Sequence, residues 1–361
     1  MSRRAALILA AVLIISGAPA PKAQARFQQT ESVPGGYRLK VNVNAVLLNV
    51  SARDRHTNRS IPNLRKEDFL VYDDGALQKV DQFAASDAPF SALLLIDNSG
   101  STRTFLPLMK RAATDFTLLL KADDRVAVAA FNSLVELLQD FTDDRSRAGR
   151  AIGSISSIGG TAFYDALMTS IDIYMRGVTE RSAIVVFTDG VDNQLEGENT
   201  EGSRTLFSQV YRKIQEIDPL IYTIFLDTDD PRLGRQSAGR PDLSPGVGWP
   251  FPVPRRPRRP APGSTPPPGR PIYEKAREQL RAIADQTGGR MYSLTRAEDL
   301  EGAYREIAED LKVQYVLSYT PNNHGRDGMW HDIRIQVRNR GDVAIRTRKG
   351  YYAQATREDP R

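Results

Sequence analysis

The sequence of 361 residues contains no cysteine and only three histidines, His56, His324 and His331. The absence of cysteine excludes disulfides, thiolate zinc sites and a cysteine nucleophile. The small number of histidines argues against a histidine-based metal site and against an acid–base triad. A chain of this length can nevertheless form two or three domains with a sizeable core.

Apolar runs long enough to cross a membrane are also lacking. The N-terminus has two arginines, an apolar stretch at 5–15 and small residues in the pattern Ala-x-Ala that ends at Ala20 and again at Ala25. This order predicts a secretory signal over residues 1–25, cleaved at Ala20 or Ala25. The mature protein is then expected to be periplasmic or secreted, without a transmembrane anchor. An uncleaved anchor is the alternative.

The net charge of +5 comes from two short segments. Residues 231–272 carry eight arginines against one aspartate, and residues 1–25 carry three further positive charges, so the rest of the chain is net negative. The charge therefore does not indicate a nucleic-acid-binding face. Thirteen of the 22 prolines also fall in 231–272. We predict a solvated, polyproline-II-biased insertion at 229–272, acting as a spacer or as a docking segment.

The two ends of the chain predict β-structure. Residues 36–90 alternate polar and apolar side chains and contain the turn signal Asp73-Asp74-Gly75. Residues 312–355 contain three further strand patterns. Neither part is large enough to be stable alone. We expect the strands of 36–90 and 312–355 to pair into one β-sandwich, with the region between them inserted into it.

That inserted region, residues 91–311, alternates apolar strands with amphipathic helices. This pattern predicts an α/β fold with a doubly wound, mostly parallel sheet. Two strands joined only by Asn132-Ser133-Leu134 must form an antiparallel hairpin at one edge. The strands are predicted at 93–96, 126–131, 135–141, 183–187, 220–226 and 290–294, and the helices at 104–120, 145–155, 161–176, 203–216, 274–286 and 298–311.

Oxygen-bearing side chains follow these strands. Asp97, Ser99 and Ser101 come directly after one strand and Asp189 after another, while Thr161 opens a helix behind two glycines. Ligands of open α/β sheets gather at the carboxyl ends of the strands. Two carboxylates and three hydroxyls suit a hard cation and leave one octahedral position for a further ligand or water. Each motif alone also fits a capped helix start or a simple turn.

Asp97-x-Ser99-x-Ser101, Thr161 and Thr188-Asp189-Gly190 together resemble the metal-ion-dependent adhesion site of von Willebrand factor type A domains. The flanks resemble a bacterial group of related proteins, on Lys66–Gly75, Tyr315–Pro321 and Lys349–Tyr352. The resemblance implies Mg²⁺, or Mn²⁺ or Ca²⁺, held by the five residues. It also implies a protein partner whose acidic side chain takes the open position. Asn98 and Gly100 would then form the turn, and Asp192 and Asn193 are expected to be solvated loop residues.

The sequence leaves three functions open. A binding module fits the resemblance, a metal-assisted hydrolase would use the same cation, and a structural scaffold would carry a vestigial site. The sequence has neither a Gly-x-x-x-x-Gly-Lys-Ser/Thr loop nor a Gly-x-Ser-x-Gly nucleophile elbow, and position 99 is a serine where a haloacid-type phosphatase has a second aspartate. We therefore expect a non-enzymatic binding module.

Overall fold

A computed structural model describes residues 45–86, 88–178, 181–193, 202–228, 270–294, 296, 299–322 and 327–353. All of them belong to one compact unit. The predicted signal at 1–25 and the predicted insertion up to residue 269 lie outside the described residues, as do the first residues of the N-terminal β unit.

Six strands form the central sheet, in the order β10-β9-β8-β5-β6-β7. Five of them are parallel, and only β7 is antiparallel, as the short hairpin after β6 requires. Because β5 and β8 are buried along most of their length on both faces, their sequences are apolar runs rather than alternating patterns. The bounds are β5 Phe90–Asp97, β6 Arg125–Phe131, β7 Val135–Thr142, β8 Arg181–Thr188, β9 Leu220–Leu226 and β10 Met291–Leu294.

Helices cover both faces of this sheet, so the predicted α/β fold class is confirmed. Helices α1, α2 and α6 pack on one face and α3, α4 and α5 on the other, each set around its own apolar core. Within the described residues, no helix is both long and apolar enough to cross a membrane. The helices are α1 Leu106–Leu119, α2 Arg145–Ser154, α3 Phe163–Thr169 with a π-helical turn Ser170–Tyr174, α4 Phe207–Ile214, α5 Arg270–Thr287 and α6 Asp299–Lys312.

Two four-stranded sheets from both ends of the chain enclose a third core. Their strand orders are β13-β1-β11-β4 and β14-β12-β2-β3. Leu48, Val71 and Leu317 are fully buried between them. The strands are β1 Val46–Asp54, β2 Phe69–Asp73, β3 Ala76–Gln78, β4 Val80–Ser86, β11 Gln314–Tyr319, β12 Trp330–Val337, β13 Val343–Arg346 and β14 Gly350–Tyr352.

A buried polar cluster joins this sandwich to the α/β region. Asp310 of α6 is fully buried and accepts hydrogen bonds from Arg53 Nε at 3.0 Å and Tyr222 Oη at 2.8 Å, and also from the Ser51 hydroxyl. Because the carboxylate has a cationic partner and two hydroxyl donors, its burial is compensated. The cluster fixes the last helix of the α/β region against β1.

Several predicted elements needed correction. β3 was not predicted; it forms the hairpin with β2, whereas β4 pairs with β11 in the opposite sheet. β14 was also missed, because a strand of three residues gives little periodicity. Helix α5 begins at Arg270, so the predicted insertion cannot extend to 272. Helix α4 begins at Phe207 rather than at 203, because Ser203 binds a buried aspartate instead of extending the helix.

Candidate metal centre

The Asp97 loop leaves the sheet at the carboxyl end of β5. Asp97 is fully buried, and its Oδ1 accepts a hydrogen bond from the backbone N of Ser99 at 2.9 Å. The hydroxyls of Ser99 and Ser101 lie 3.1 Å apart. Ser99 is buried whereas Ser101 is exposed, so the loop presents one side to solvent. The three side chains therefore converge, and the cluster is open at Ser101.

These residues do not cap helix α1. That helix begins at Leu106, and its N-cap residue Phe105 makes no side-chain capping bond. The hydroxyl of Thr102 instead donates to the backbone carbonyls of Asp97 and Ser99, each at 3.1 Å, which tightens the loop before the helix starts. The alternative interpretation of Asp-x-Ser-x-Ser as a capped helix start is therefore wrong.

Asp189 follows the neighbouring strand β8 and is also fully buried. Its Oδ1 accepts from the backbone N of Val191 at 3.2 Å and its Oδ2 from the Thr228 hydroxyl at 3.2 Å. Gly190 has φ +70°, and a Cβ there would lie 2.6 Å from Leu280 Cδ1, so the turn after Asp189 requires glycine. The Thr-Asp-Gly motif thus lets helix α5 pack closely beneath the carboxylate.

The third loop, which contains Thr161, is bonded to both of the others. The backbone N of Ile158 donates to the Asn98 carbonyl at 2.9 Å, and Gly100 N donates to the Gly159 carbonyl at 3.0 Å. Thr161 N donates to Asn193 Oδ1 at 2.9 Å, and Asn193 N donates back to the Thr161 carbonyl at 2.9 Å. The fold therefore places Thr161, which is 3% exposed, between the Asp97 loop and the Asp189 loop.

The two aspartates repel each other. Burial raises the pKa of Asp97, against hydrogen bonds from Ser99 and Thr188. Burial and the charge of Asp97 raise the pKa of Asp189, against a hydrogen bond from the Ser101 hydroxyl. Among the residues that the structure describes, the groups that stabilise the charged form of this pair are neutral, so its combined negative charge is opposed by hydroxyl and amide dipoles. A divalent cation between the two carboxylates would remove the conflict.

The donors at this edge fit such a cation. They are carboxylate and hydroxyl oxygens, without imidazole or sulfur, which is the ligand chemistry of Mg²⁺, Mn²⁺ and Ca²⁺. Asp97, Ser99, Ser101 and Asp189 are linked by contact, and Thr161 lies on the adjoining loop.

Two polar residues behind the cluster were not predicted from the sequence. The hydroxyl of Thr188 donates to Asp97 Oδ2 at 2.6 Å and so joins strands β5 and β8. The hydroxyl of Thr228 donates a hydrogen bond to Asp189 Oδ2. Thr188 had a detectable signal, since it is the last residue of a buried strand next to Asp189. Thr228 had none, because it lies almost 40 residues further along the chain.

Asp192 and Asn193 were predicted to be solvated; this is wrong for Asp192, whereas Asn193 is partly exposed. Asp192 is fully buried and accepts from Ser203 N at 2.9 Å, Ser203 Oγ at 2.6 Å and Tyr164 N at 3.2 Å. Its charge also adds to the rise in the pKa of Asp97. It ties the Asp189 loop to helix α3, and Asn193 ties the same loop to Thr161. Both are therefore part of the scaffold of the site.

An open α/β sheet with converging oxygen side chains at its carboxyl edge defines the class of this region. Residues 92–191 match the family model of the von Willebrand factor type A domain. The chain therefore contains a von Willebrand factor type A domain, as the resemblance implied.

Solved structures are similar at low sequence identity. The vWF domain of the type V pili tip protein Mfa5 from Porphyromonas gingivalis is 12% identical, with TM-score 0.42 over 62% of this chain and 95% of that one. A von Willebrand factor type A protein from Catenulispora acidiphila is 12% identical, with TM-score 0.44 over 84% and 73%. Proximal thread matrix protein 1 from the mussel byssus, with a zinc-occupied MIDAS motif, is 12% identical, with TM-score 0.43 over 66% and 49%. No curated protein sequence matches the chain.

Proposed function

We propose that this protein is a binding module that engages a protein partner through a Mg²⁺ ion held by Asp97, Ser99, Ser101, Thr161 and Asp189. The observation that carries the proposal is the pair of fully buried aspartates whose mutual repulsion no cationic side chain described here relieves. When bound, the cation supplies an electrophilic position for an oxygen ligand from outside the chain. Mn²⁺ and Ca²⁺ are alternatives with the same ligand preference.

The surface around the cluster supports a protein partner with an acidic side chain. Ile158 and Leu134 are 64% and 79% exposed, and both belong to loops bonded to Asn98 or Asn132 beside the site. A shallow groove next to the same loop is lined by Arg103, Lys110 and Ser157, whose hydroxyl donates to the Ser99 carbonyl. The exposed apolar side chains can contact a partner protein, and the nearby positive charge can attract a carboxylate on that partner.

The location and the accessory segments of the protein complete the proposal. The N-terminal pattern at 1–25 supports a periplasmic or secreted protein, and the segment 229–269 supports a spacer or an additional docking segment. The boundaries proposed are a β unit at 36–90, the type A domain at 91–311 and C-terminal strands at 312–355. The strands of both ends pack into one sandwich, which would present the metal-bearing edge as a rigid head.

A metal titration tests the cation. The untagged mature protein is freed of metal and titrated with Mg²⁺ and Mn²⁺ while binding heat and thermal unfolding are followed. We expect saturable binding and a raised Tm for the wild type and for Asp123→Ala, an exposed aspartate outside the site. Asp97→Asn keeps the size of the side chain and should show neither. Equal responses in wild type and Asp97→Asn would refute the cation site.

A capture experiment tests the partner and separates the three functions. Wild type and Asp97→Asn are presented to envelope and secreted fractions with Mg²⁺ or with EDTA. A binding module captures the same protein only as wild type with Mg²⁺, and Ile158→Ser should weaken that capture while leaving Mg²⁺ binding intact. Hydrolysis of model phosphoesters that Asp97→Asn abolishes would favour the enzyme. Mg²⁺-independent capture would favour the scaffold.

A further inference from the structure

A second group of ligand-type side chains lies in the β-sandwich. One atom each of Asp73, Asp74 and His331 lies within 4.8 Å of the other two. His331 Nδ1 is 2.8 Å from Asp74 Oδ2 and 3.6 Å from Asp73 Oδ1. Ligand atoms around a tetrahedral zinc ion at ordinary bond lengths lie roughly 3.3 Å apart. The two distances from His331 Nδ1 lie on either side of this value, and the two carboxylate oxygens are within 4.8 Å of each other.

Each of the two carboxylates has one oxygen committed to the fold and one oxygen turned to the cluster. Asp73 Oδ2 accepts from Tyr319 Oη and Tyr351 Oη, each at 2.9 Å. Asp74 Oδ1 accepts from the backbone N of Asp332 at 2.8 Å. The other oxygen of each residue, Asp73 Oδ1 or Asp74 Oδ2, faces His331. Such outer contacts orient metal ligands in proteins.

The imidazole of His331 is held in the same way. Its Nε2 lies 3.3 Å from Asp327 Oδ1, and its ring stacks on Tyr351 with centroids 5.3 Å apart. When Nε2–H donates to Asp327, the other nitrogen, Nδ1, carries a free lone pair directed at two carboxylate oxygens. A carboxylate behind the distal nitrogen is the usual support of a metal-bound histidine.

One buried polar atom in this cluster, Asp73 Oδ1, has no hydrogen-bond partner among the residues that the structure describes, although Asp73 is fully buried. His331 is 5% exposed, and among the same residues its Nδ1 has only the carboxylate of Asp74 within hydrogen-bond distance, at 2.8 Å. An unsatisfied buried carboxylate oxygen is costly. A proton on Nδ1 could serve the nearer oxygen of Asp74, but Asp73 Oδ1 would remain without a donor at 3.6 Å. A cation between the three atoms satisfies all of them at once.

We propose that Asp73, Asp74 and His331 form a second metal site, which takes a divalent transition metal of the Zn²⁺ type. Two carboxylates and a neutral imidazole carry two negative charges, which one divalent ion neutralises. The imidazole selects such a metal over Mg²⁺ and Ca²⁺. Asp74 is the half-exposed ligand, so the ion can enter from the turn and keep a water or an outside ligand there. The ion would tie the Asp73-Asp74-Gly75 turn to β12.

The site was not expected from the sequence, which has few histidines and only a turn signal at Asp73-Asp74-Gly75. Asp74 and Gly75 have φ +47° and +80°, so the turn is present. The turn directs Asp74 toward His331, which lies more than 250 residues further along the chain. This inference rests on the sandwich alone and is independent of the function proposed for the type A domain.

Cobalt and zinc titrations test the second site. Untagged Asp97→Asn protein is used in excess Mg²⁺, so that the edge of the α/β sheet does not contribute. We expect one equivalent of Co²⁺ to bind with a visible absorption band, Zn²⁺ to displace it, and Zn²⁺ to raise the Tm. The control His56→Gln changes an exposed histidine and should leave the Co²⁺ binding, its displacement by Zn²⁺ and the rise in Tm unchanged.

Two variants decide the assignment. His331→Gln and Asp74→Asn should each lower Co²⁺ and Zn²⁺ affinity by at least about tenfold, the lower limit for losing even an outer contact. Asp74 is half exposed, so Asp74→Asn should fold even if His331→Gln does not. Absence of Co²⁺ binding, or equal binding by Asp74→Asn and its parent, overturns the proposal and leaves His331 as an ion-paired residue of the sandwich.

Discussion

The edge of the α/β sheet and the turn of the sandwich both carry two aspartates, yet they suit different ions. Asp97 and Asp189 are surrounded by hydroxyls and backbone amides, and each of their oxygens has an uncharged hydrogen-bond partner. Asp73 and Asp74 share a histidine, and one oxygen of Asp73 has no partner among the described residues. An oxygen-only environment favours a hard cation, whereas an added imidazole favours a transition metal.

A buried aspartate in a third part of the protein has the cationic partner that both clusters lack. Asp310 lies in the interface between the sandwich and the α/β region, with Arg53 at 3.0 Å and Tyr222 at 2.8 Å. A guanidinium balances its charge, so it needs no ion. The three places therefore differ in the groups that surround the buried aspartate, and not in the aspartate itself. The carboxylate of Asp310 is buried against an arginine and is structural, whereas the carboxylates of the other two places lie near a second carboxylate, which is why we propose cations there.

Asp310→Ala should produce the largest effect on stability. Removing one partner of a buried ion pair leaves Arg53 with only the more distant carboxylate of Glu306, at 3.8 Å, and costs about 3–5 kcal/mol of the free energy of unfolding. Urea denaturation of wild type and Asp310→Ala measures it. Glu309→Ala changes the neighbouring, exposed acid and should lie close to wild type. If Asp310→Ala and Glu309→Ala lost equal stability, the ion pair of Asp310 with Arg53 would not stabilise the fold, and Asp310 could not serve as the compensated aspartate of this comparison.

Thr188→Val should weaken the proposed Mg²⁺ site without removing a ligand. The valine has the same shape but cannot donate to Asp97 Oδ2, so the carboxylate loses its orientation. Loss of such an outer contact lowers metal affinity by about 10–100-fold. Calorimetric titration with Mg²⁺ measures the change. The matched control is Thr114→Val, because the hydroxyl of Thr114 donates to the Lys110 carbonyl within helix α1. If Thr188→Val bound Mg²⁺ with unchanged affinity, the proposal that Asp97 is a ligand of the cation would be contradicted.

Asp97→Asn should make the metal-free protein more stable, opposite in sign to Asp310→Ala. The substitution removes one of two repelling buried charges, and we expect the Tm to rise by about 2–4 °C, the equivalent of about 1 kcal/mol in a domain of this size. Differential scanning calorimetry in EDTA measures it. A lowered Tm would mean that Asp97 is compensated within the chain, like Asp310.

The smallest expected effect is a pH dependence of the Mg²⁺-induced Tm shift. Burial raises the pKa of Asp97 and Asp189, and their mutual repulsion adds to the rise for Asp189. In the folded metal-free protein they hold protons at pH values where the unfolded chain has lost them. The stability that these two groups contribute is present below their unfolded pKa and decreases as pH rises through the raised pKa.

Protons therefore compete with the ion in acid. The Tm increase on adding saturating Mg²⁺ should be measurable at pH 8 and close to zero at pH 5, because binding requires both carboxylates to be ionised. Thermal unfolding with and without Mg²⁺ across this range measures it. A shift of equal size at both pH values would contradict the raised pKa of the pair.

Much of the α/β region could be predicted from local pattern. The strand at 220–226 was predicted to the residue, and the hairpin at Asn132-Ser133-Leu134 placed the antiparallel strand at the edge. The sandwich of strands from both chain ends was predicted because neither end could bury its apolar face alone. Short strands such as β3 and β14 were missed, because three residues are too few to show an alternation of polar and apolar side chains.

The sequence by itself determined the alternation of buried strands and helices and the motifs Asp97-x-Ser99-x-Ser101 and Thr188-Asp189-Gly190. Those signals are local, because apolar runs and turn residues act on the backbone nearby. Only the tertiary structure decided that Asp192 is buried, that Thr228 supports Asp189 and that His331 lies against Asp73. These contacts join residues far apart in the chain, and the energy of a buried charge depends on neighbours that only folding brings together.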